Sequence, residues 1–159
     1  MKQVYWLDPI DRPALLATLM RELAGEAEIA LEGEASELAT FDFSALSGVR
    51  EGIALPFREE WRGKTGKMLI MPLNASTVGP ILEELLRKDR AMQRVGAIQI
   101  QCDGQVEFLA GDNFHRECVS VGPGVTVKLL ERLVRERVIA AYRTHDEARK
   151  WLRARGSAV

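Results

Sequence analysis

The segment from Ala97 to Phe108 constrains the fold more than any other part of this 159-residue chain. Apolar and polar residues alternate in 97–101 and again in 105–108, which is the period of a strand with one buried face. Asp103 and Gly104 separate the two runs, and this dipeptide is typical of a tight hairpin turn. The sequence therefore predicts a β-hairpin within an antiparallel meander that covers about residues 96–121.

The length of the hairpin loop decides which residues pair. A two-residue loop in a regular ladder would place Ile100 opposite Glu107 and put the two apolar stripes on opposite faces. A three-residue loop that includes Cys102 would instead pair Ile100 with Val106. Because only the longer loop keeps one face apolar, the pattern favours the three-residue loop.

Helical and strand patterns alternate along the rest of the chain. Asp8 or Asp11 can cap a first helix, and Thr144 with Glu147 forms a capping box for the last one. A helix predicted over 126–137 directs Val127 and Leu130 inward. This order predicts an α/β or α+β fold, in which four helices pack on a mixed β-sheet that contains the meander. The length predicts a single domain over 1–159.

Residues 33–66 show no clear periodicity, and within them 44–66 is predicted to be a long exposed loop region. Trp61 lies in a charged, glycine-containing part of that region, beside Arg62 and Lys64. An exposed tryptophan with basic neighbours suits a stacking or partner contact, whereas a tryptophan folded back over the core edge would be structural. We therefore predict Trp61, Arg62 and Lys64 as ligand or partner contacts.

The octet Gly111–Cys118 contains the most chemically mixed residues of the chain. Asp112, Asn113, His115 and Cys118 are types used in acid–base, nucleophilic and metal chemistry, so they are the catalytic candidates. Asp112, Asn113 and His115 are also candidates for ligand or partner contact. In a regular strand over 114–121, however, His115 and Cys118 would point to opposite faces, and the same residues could simply build a turn.

No spacing in the chain predicts a metal or a cofactor. The two cysteines and two histidines, Cys102, His115, Cys118 and His145, do not match a zinc-finger pattern. Gly122-Pro123-Gly124 lacks the third glycine of a dinucleotide fingerprint, and no phosphate-binding loop motif is present.

Charge is distributed unevenly between the two parts of the chain. Residues 1–60 carry an excess of seven acidic side chains, and residues 61–159 an excess of six basic ones. The predicted outer faces of the last two helices hold basic residues, namely Lys128, Arg132, Arg135, Arg149, Lys150, Arg153 and Arg155. Acidic residues are interleaved with them, so the composition argues against nucleic acid as a partner.

These patterns together favour, over an enzyme, a binding or regulatory module that acts through protein or small-ligand contacts, with a protein partner or self-association. The first alternative is a small enzyme with His115 as general base at the Asp112–His115 turn. The second is an anion or nucleic-acid binder that uses the basic C-terminal helices. The sequence has no signal-peptide pattern and no apolar run of about 20 residues, so we expect a cytoplasmic location and no membrane contact.

Overall fold

The protein is described by a computed structural model that covers residues 3–52, 67–87 and 91–156. Eight strands are present in these ranges: β1 Tyr5–Pro9, β2 Ala27–Gly33, β3 Arg50–Glu51, β4 Lys67–Leu73, β5 Ala97–Cys102, β6 Gln105–Ala110, β7 Val119–Val121 and β8 Ile139–Thr144. The same ranges contain five α-helices: α1 Arg12–Leu23, α2 Ala35–Leu38, α3 Val78–Leu86, α4 Val127–Arg135 and α5 His145–Ala154. A 3-10 helix, Ala91–Arg94, precedes β5.

The strands form one sheet in the order β3-β4-β2-β5-β6-β7-β1-β8. The predicted fold class is confirmed in its α+β form, and β5, β6 and β7 make the predicted meander. Every pairing among the described strands is antiparallel, although a mixed sheet was expected. The reason is that strands connected through a helix, such as β1 and β2, are not neighbours in the sheet. The fifth helix is the four-residue α2, which lies in the region without clear periodicity.

The hairpin between β5 and β6 has a two-residue loop, so the predicted three-residue loop is wrong. Asp103 and Gly104 both have positive φ angles, 49° and 74°, as a tight hairpin turn requires. The register then shifts between Ile100 and Gln101, so that Ile100 lies opposite Phe108 and not opposite Glu107. This irregularity inserts one extra residue into β6 and so keeps one face of the hairpin apolar. The prediction had assumed that only a longer loop could keep that face apolar.

Replacing Gly104 by alanine is expected to lower the free energy of unfolding by about 1 kcal/mol, the usual cost of an L side chain in this conformation. A Cβ atom there would meet no atom within 4 Å, so the cost is purely conformational. Chemical unfolding of the two proteins measures it. An alanine variant as stable as the wild type would show that the turn adopts another geometry in solution.

Helices α1, α3 and α4 pack their apolar stripes on one face of the sheet. The fully buried side chains of this core include Leu16, Met20, Ile81, Leu130 and Phe108. One predicted position on α4 is wrong. Val127 was expected to face inward but is 39% exposed, because α4 begins at that residue and Leu129 takes the buried place.

Helix α5 packs against β8 and β1 on the opposite face of the sheet. Leu7 belongs to the main core, whereas its neighbour Trp6 does not, and both border a small cavity that Ala148 and Trp151 of α5 also line. Since successive strand residues point to opposite faces, α5 lies on the side away from α1, α3 and α4. None of the described helices is long and apolar enough to cross a lipid bilayer.

Glu107 anchors the turn that follows β7. Its backbone carbonyl accepts a hydrogen bond from the Gly122 N–H at 2.9 Å, and its carboxylate Oε2 accepts one from the Gly124 N–H at 2.6 Å. The Glu107 side chain is buried, with 7% of its surface exposed. The two glycines are therefore needed for close packing on a buried carboxylate.

Candidate functional site

The octet 111–118 forms a compact turn and not the start of a strand, since β7 begins only at Val119. Asp112, Asn113 and Phe114 have positive φ angles of 48°, 54° and 62°. The His115 N–H donates to the carbonyls of Gly111 and Asp112, at 3.2 and 3.1 Å. Three consecutive left-handed residues are costly for L-amino acids, and they persist only where surrounding contacts hold them.

Asn113 supplies part of that support. Its side-chain amide, oriented with the NH2 group toward two carbonyls, donates to Val95 at 2.7 Å and Gln93 at 3.1 Å. The backbone carbonyl of Asn113 accepts a hydrogen bond from the Arg12 guanidinium at 3.2 Å. Phe114 is buried and lies 6.2 Å from Phe108, measured between ring centroids. These contacts give Asn113 and Phe114 structural roles.

His115 and Cys118 lie in the same turn, and the Cys118 N–H donates to the His115 carbonyl at 2.7 Å. No hydrogen bond joins these two described side chains. The His115 Nδ1 accepts the backbone N–H of Glu117 at 3.3 Å, and the imidazole is exposed. Asp112 is also exposed, and neither it nor His115 lines the cavities that the described residues form beside α2, Trp151 and Thr126.

The predicted contact residues Trp61, Arg62 and Lys64 lie outside the described residues. Of the predicted loop region 44–66, only 44–52 is described, and it ends in β3, which pairs with β4. Within 3–52, 67–87 and 91–156, no group of three or more His, Cys, Asp or Glu side chains is placed to hold a metal ion.

An apolar groove of about 380 Å³ lies beside the β3–β4 edge of the sheet. We call it the α2 groove, and it is lined by Ala35, Leu38, Ala39, Phe41, Phe43, Ser44, Leu46, Val49, Glu51 and Leu69. Leu38 and Phe43 are buried, while Phe41 and Leu46 are half-buried. The rings of Phe41 and Phe43 stack, with centroids 5.7 Å apart and planes 19° from parallel.

Polar contacts fix the backbone on which the two phenylalanines stand. The Asp42 N–H donates to the Glu84 carboxylate of α3 at 3.0 Å. The Asp42 carboxylate accepts the Ser44 hydroxyl at 2.6 Å and the Ser44 N–H at 3.1 Å. These bonds from Ser44 hold the pKa of Asp42 below its ordinary value. Asp42 therefore stays ionised, and the loop is tied both to itself and to α3.

A second anchor holds the far end of this loop against β4. Gly48 has a φ angle of 79°, and a Cβ atom built on it would lie 3.0 Å from Pro72 Cγ. The Arg50 guanidinium forms a salt bridge of 2.7 Å with Glu28 of β2. The segment that forms the α2 groove is thus held at two places. Asp42 is bonded to α3, and Gly48 and Arg50 lie against the sheet.

Comparison with models of protein families, with curated proteins and with solved structures finds no match to this chain.

Sequence reasoning did not predict the α2 groove. The apolar residues that line it, at positions 38, 41, 43, 46 and 49, follow neither the period of a strand nor that of a helix. The sequence does show that these apolar residues are closely spaced in a segment otherwise rich in acidic and small residues. That signal indicates burial but not a cavity.

Proposed function

We propose that this chain is a small-ligand binding module, and that its ligand is an apolar molecule held in the α2 groove. The observation that carries the proposal is the cavity of about 380 Å³ with apolar and aromatic walls. Binding sites for small molecules commonly measure roughly 300–1,000 Å³ and are lined mainly by apolar side chains with a few polar groups. Ser44 and Glu51 are the polar side chains at the α2 groove.

The anchoring of the loop supports the same proposal. A site that is ordered before the ligand arrives loses less conformational entropy on binding. The Asp42–Ser44 and Asp42–Glu84 hydrogen bonds order the segment that carries Phe41 and Phe43. The groove therefore needs little rearrangement to accept a ligand.

The enzyme hypothesis has less support. A general base must reach the proton that it removes, in a position where a substrate can be held. His115 is exposed, and its Nδ1 already accepts the Glu117 N–H, while the Asn113 amide donates to two carbonyls. The Asp112–His115 turn is better explained as a connection between β6 and β7.

Filling the α2 groove is expected to weaken the binding of an apolar probe. We choose N-phenyl-1-naphthylamine because it is neutral and its fluorescence rises in an apolar site. Ala39 is exposed and lines the groove, so Ala39→Trp adds a large side chain without removing core volume. We expect probe affinity to fall at least about tenfold, which corresponds to roughly 1.4 kcal/mol.

The matched control is Ala140→Trp, since Ala140 is also exposed but lies in β8, away from the groove. This variant is expected to bind the probe as the wild type does. Equal probe binding by the two variants would contradict the assignment of the site, and a wild type that binds no probe would contradict the proposed function.

A further inference from the structure

Three arginine side chains from separate parts of the chain converge on the ring of Trp151. The guanidinium carbons of Arg143 and Arg155 each lie 4.4 Å from the ring centroid, and that of Arg116 lies 5.5 Å from it. Arg116 belongs to the turn before β7, Arg143 to β8, and Arg155 follows the last residue of α5. We call Trp151 with these three arginines the arginine cluster.

The order of the sheet explains why these residues meet. Strand β1 lies between β7 and β8, and Trp6 pairs with Ser120 on one side and Arg143 on the other. Trp6 and Arg143 therefore share a face of the sheet, and α5 places Trp151 over it. The capping box, in which Thr144 and Glu147 exchange hydrogen bonds, fixes the start of α5 directly after Arg143.

The cluster concentrates positive charge. None of its three guanidiniums forms an ion pair with a carboxylate in the part of the chain that the structure describes. Glu117 lines the adjacent cavity, and Glu147 lies near Arg143 with its Oε2 accepting the Thr144 N–H at 2.8 Å. Attraction to the indole face stabilises each cation, but three cations around one ring also repel each other.

The N–H groups of the three guanidiniums remain available to donate hydrogen bonds to a ligand. A guanidinium that stacks on an aromatic ring uses its face and keeps its N–H groups in the plane free to donate. Among the described residues, the Arg116, Arg143 and Arg155 side chains donate no hydrogen bond to another residue. Three guanidiniums around one ring therefore offer several donors to an anion that presents several oxygens.

We propose that Arg116, Arg143 and Arg155 bind the phosphate group of a small phosphorylated molecule. A phosphate dianion offsets more of the local charge than a carboxylate and offers more acceptor oxygens. The cavity beside Trp151 measures about 10 Å³, room for about one water molecule. The phosphate therefore contacts the guanidinium edges at the surface, and the rest of the ligand extends outward.

Several observations favour a small molecule over a nucleic acid. Nucleic acids bind along tracks that neutralise many phosphates. On α5, the acidic residues Asp146 and Glu147 interrupt the basic face, and on α4 Arg132 is engaged with Glu22 at 3.3 Å. The arginine cluster is a compact site, and it lies at the opposite end of the sheet from the α2 groove. The inference is therefore independent of the proposed function.

Titration with inorganic phosphate and with phenyl phosphate at low ionic strength tests the site, with the indole N–H resonance of Trp151 as the readout. Trp151→Phe identifies that resonance. We expect the wild type to bind both compounds and Arg155→Gln to bind them about tenfold more weakly, the loss typical of one charge-assisted hydrogen bond. Arg153→Gln is the matched control, since it removes the same charge from an exposed position near Arg155, inside α5. It is expected to change the affinity less than about twofold.

Arg116→Gln provides a second variant outside α5, so the test does not depend on the C-terminal helix alone. Thermal unfolding verifies that each variant is folded. A wild type that binds neither compound, or equal losses in Arg155→Gln and Arg153→Gln, would overturn the site. Binding of a single-stranded oligonucleotide that is much tighter than phenyl phosphate and is weakened equally by Arg153→Gln would overturn the small-molecule assignment.

Discussion

Replacing Gly122 by alanine is expected to lower the free energy of unfolding by about 2–3 kcal/mol, the usual cost of forcing atoms into a well-packed interior. A Cβ atom at this position would lie 2.5 Å from the Val106 carbonyl oxygen and 2.6 Å from Glu107 Oε2. The Val106 oxygen is backbone in a strand of the sheet, so it cannot move without disturbing β6. Urea unfolding of the wild type and the variant measures the difference.

Two further substitutions separate the backbone clash from the side-chain clash. The three atoms nearest to a Cβ atom on Gly124 would all belong to the Glu107 side chain, the closest at 2.8 Å. Glu107→Ala should therefore relieve Gly124→Ala in a double-mutant cycle but leave most of the cost of Gly122→Ala, because the Val106 oxygen remains. Gly79→Ala is the control, since a Cβ atom there meets nothing within 4 Å. If Glu107→Ala rescued Gly122→Ala fully, the close approach to β6 would be wrong.

Phe108→Ala is expected to have a still larger effect than Gly122→Ala, a loss of about 3–5 kcal/mol in the free energy of unfolding. Phe108 is fully buried in β6, pairs with Ile100 and Val121, and contacts Phe114 in the turn that leads to β7. Removing the ring leaves a cavity that neighbouring strands cannot close, because their backbones are fixed by the sheet.

The control for Phe108→Ala is Leu86→Ala. Leu86 is an apolar residue of α3 that is 38% exposed, and we expect this truncation to cost less than about 1 kcal/mol. Chemical unfolding of both variants gives the comparison. Similar losses at the two positions would mean that Phe108 is not in the core, and that the pairing of β5 with β6 is in error.

Local signals along the chain predicted local structure well. Asp11 caps α1 through a hydrogen bond from the Ala14 N–H at 3.0 Å, and the capping box of Thr144 and Glu147 is present as expected. These features depend only on residues three positions apart. The prediction of the hairpin register was wrong because packing across the sheet favours the irregularity between Ile100 and Gln101. The alternation of apolar and polar residues within one strand carries no information about that packing.

The two candidate sites could not be predicted for the same physical reason. Arg143 and Arg155 reach the Trp151 ring through neighbouring elements, β8 and the end of α5, but only the position of β1 between β7 and β8 brings Arg116 to the same ring. The α2 groove depends on Asp42 reaching Glu84 of α3 and on Gly48 approaching Pro72. Chemically suggestive residues close in sequence, such as Asn113 and His115, instead form hydrogen bonds that build a turn.

The place of β1 in the sheet also sets when the sheet can be completed during synthesis. Residue 5 pairs with residue 121 on one side and with residue 144 on the other. Strand β1 is synthesised well before either of its neighbours, so it has no partner in the sheet until β7 has been made. Such distant pairing slows folding and leaves both flanks of the strand open to other chains in the meantime. A chaperone that covers Tyr5–Pro9 until β7 and β8 have been made would therefore protect this strand from pairing with other chains.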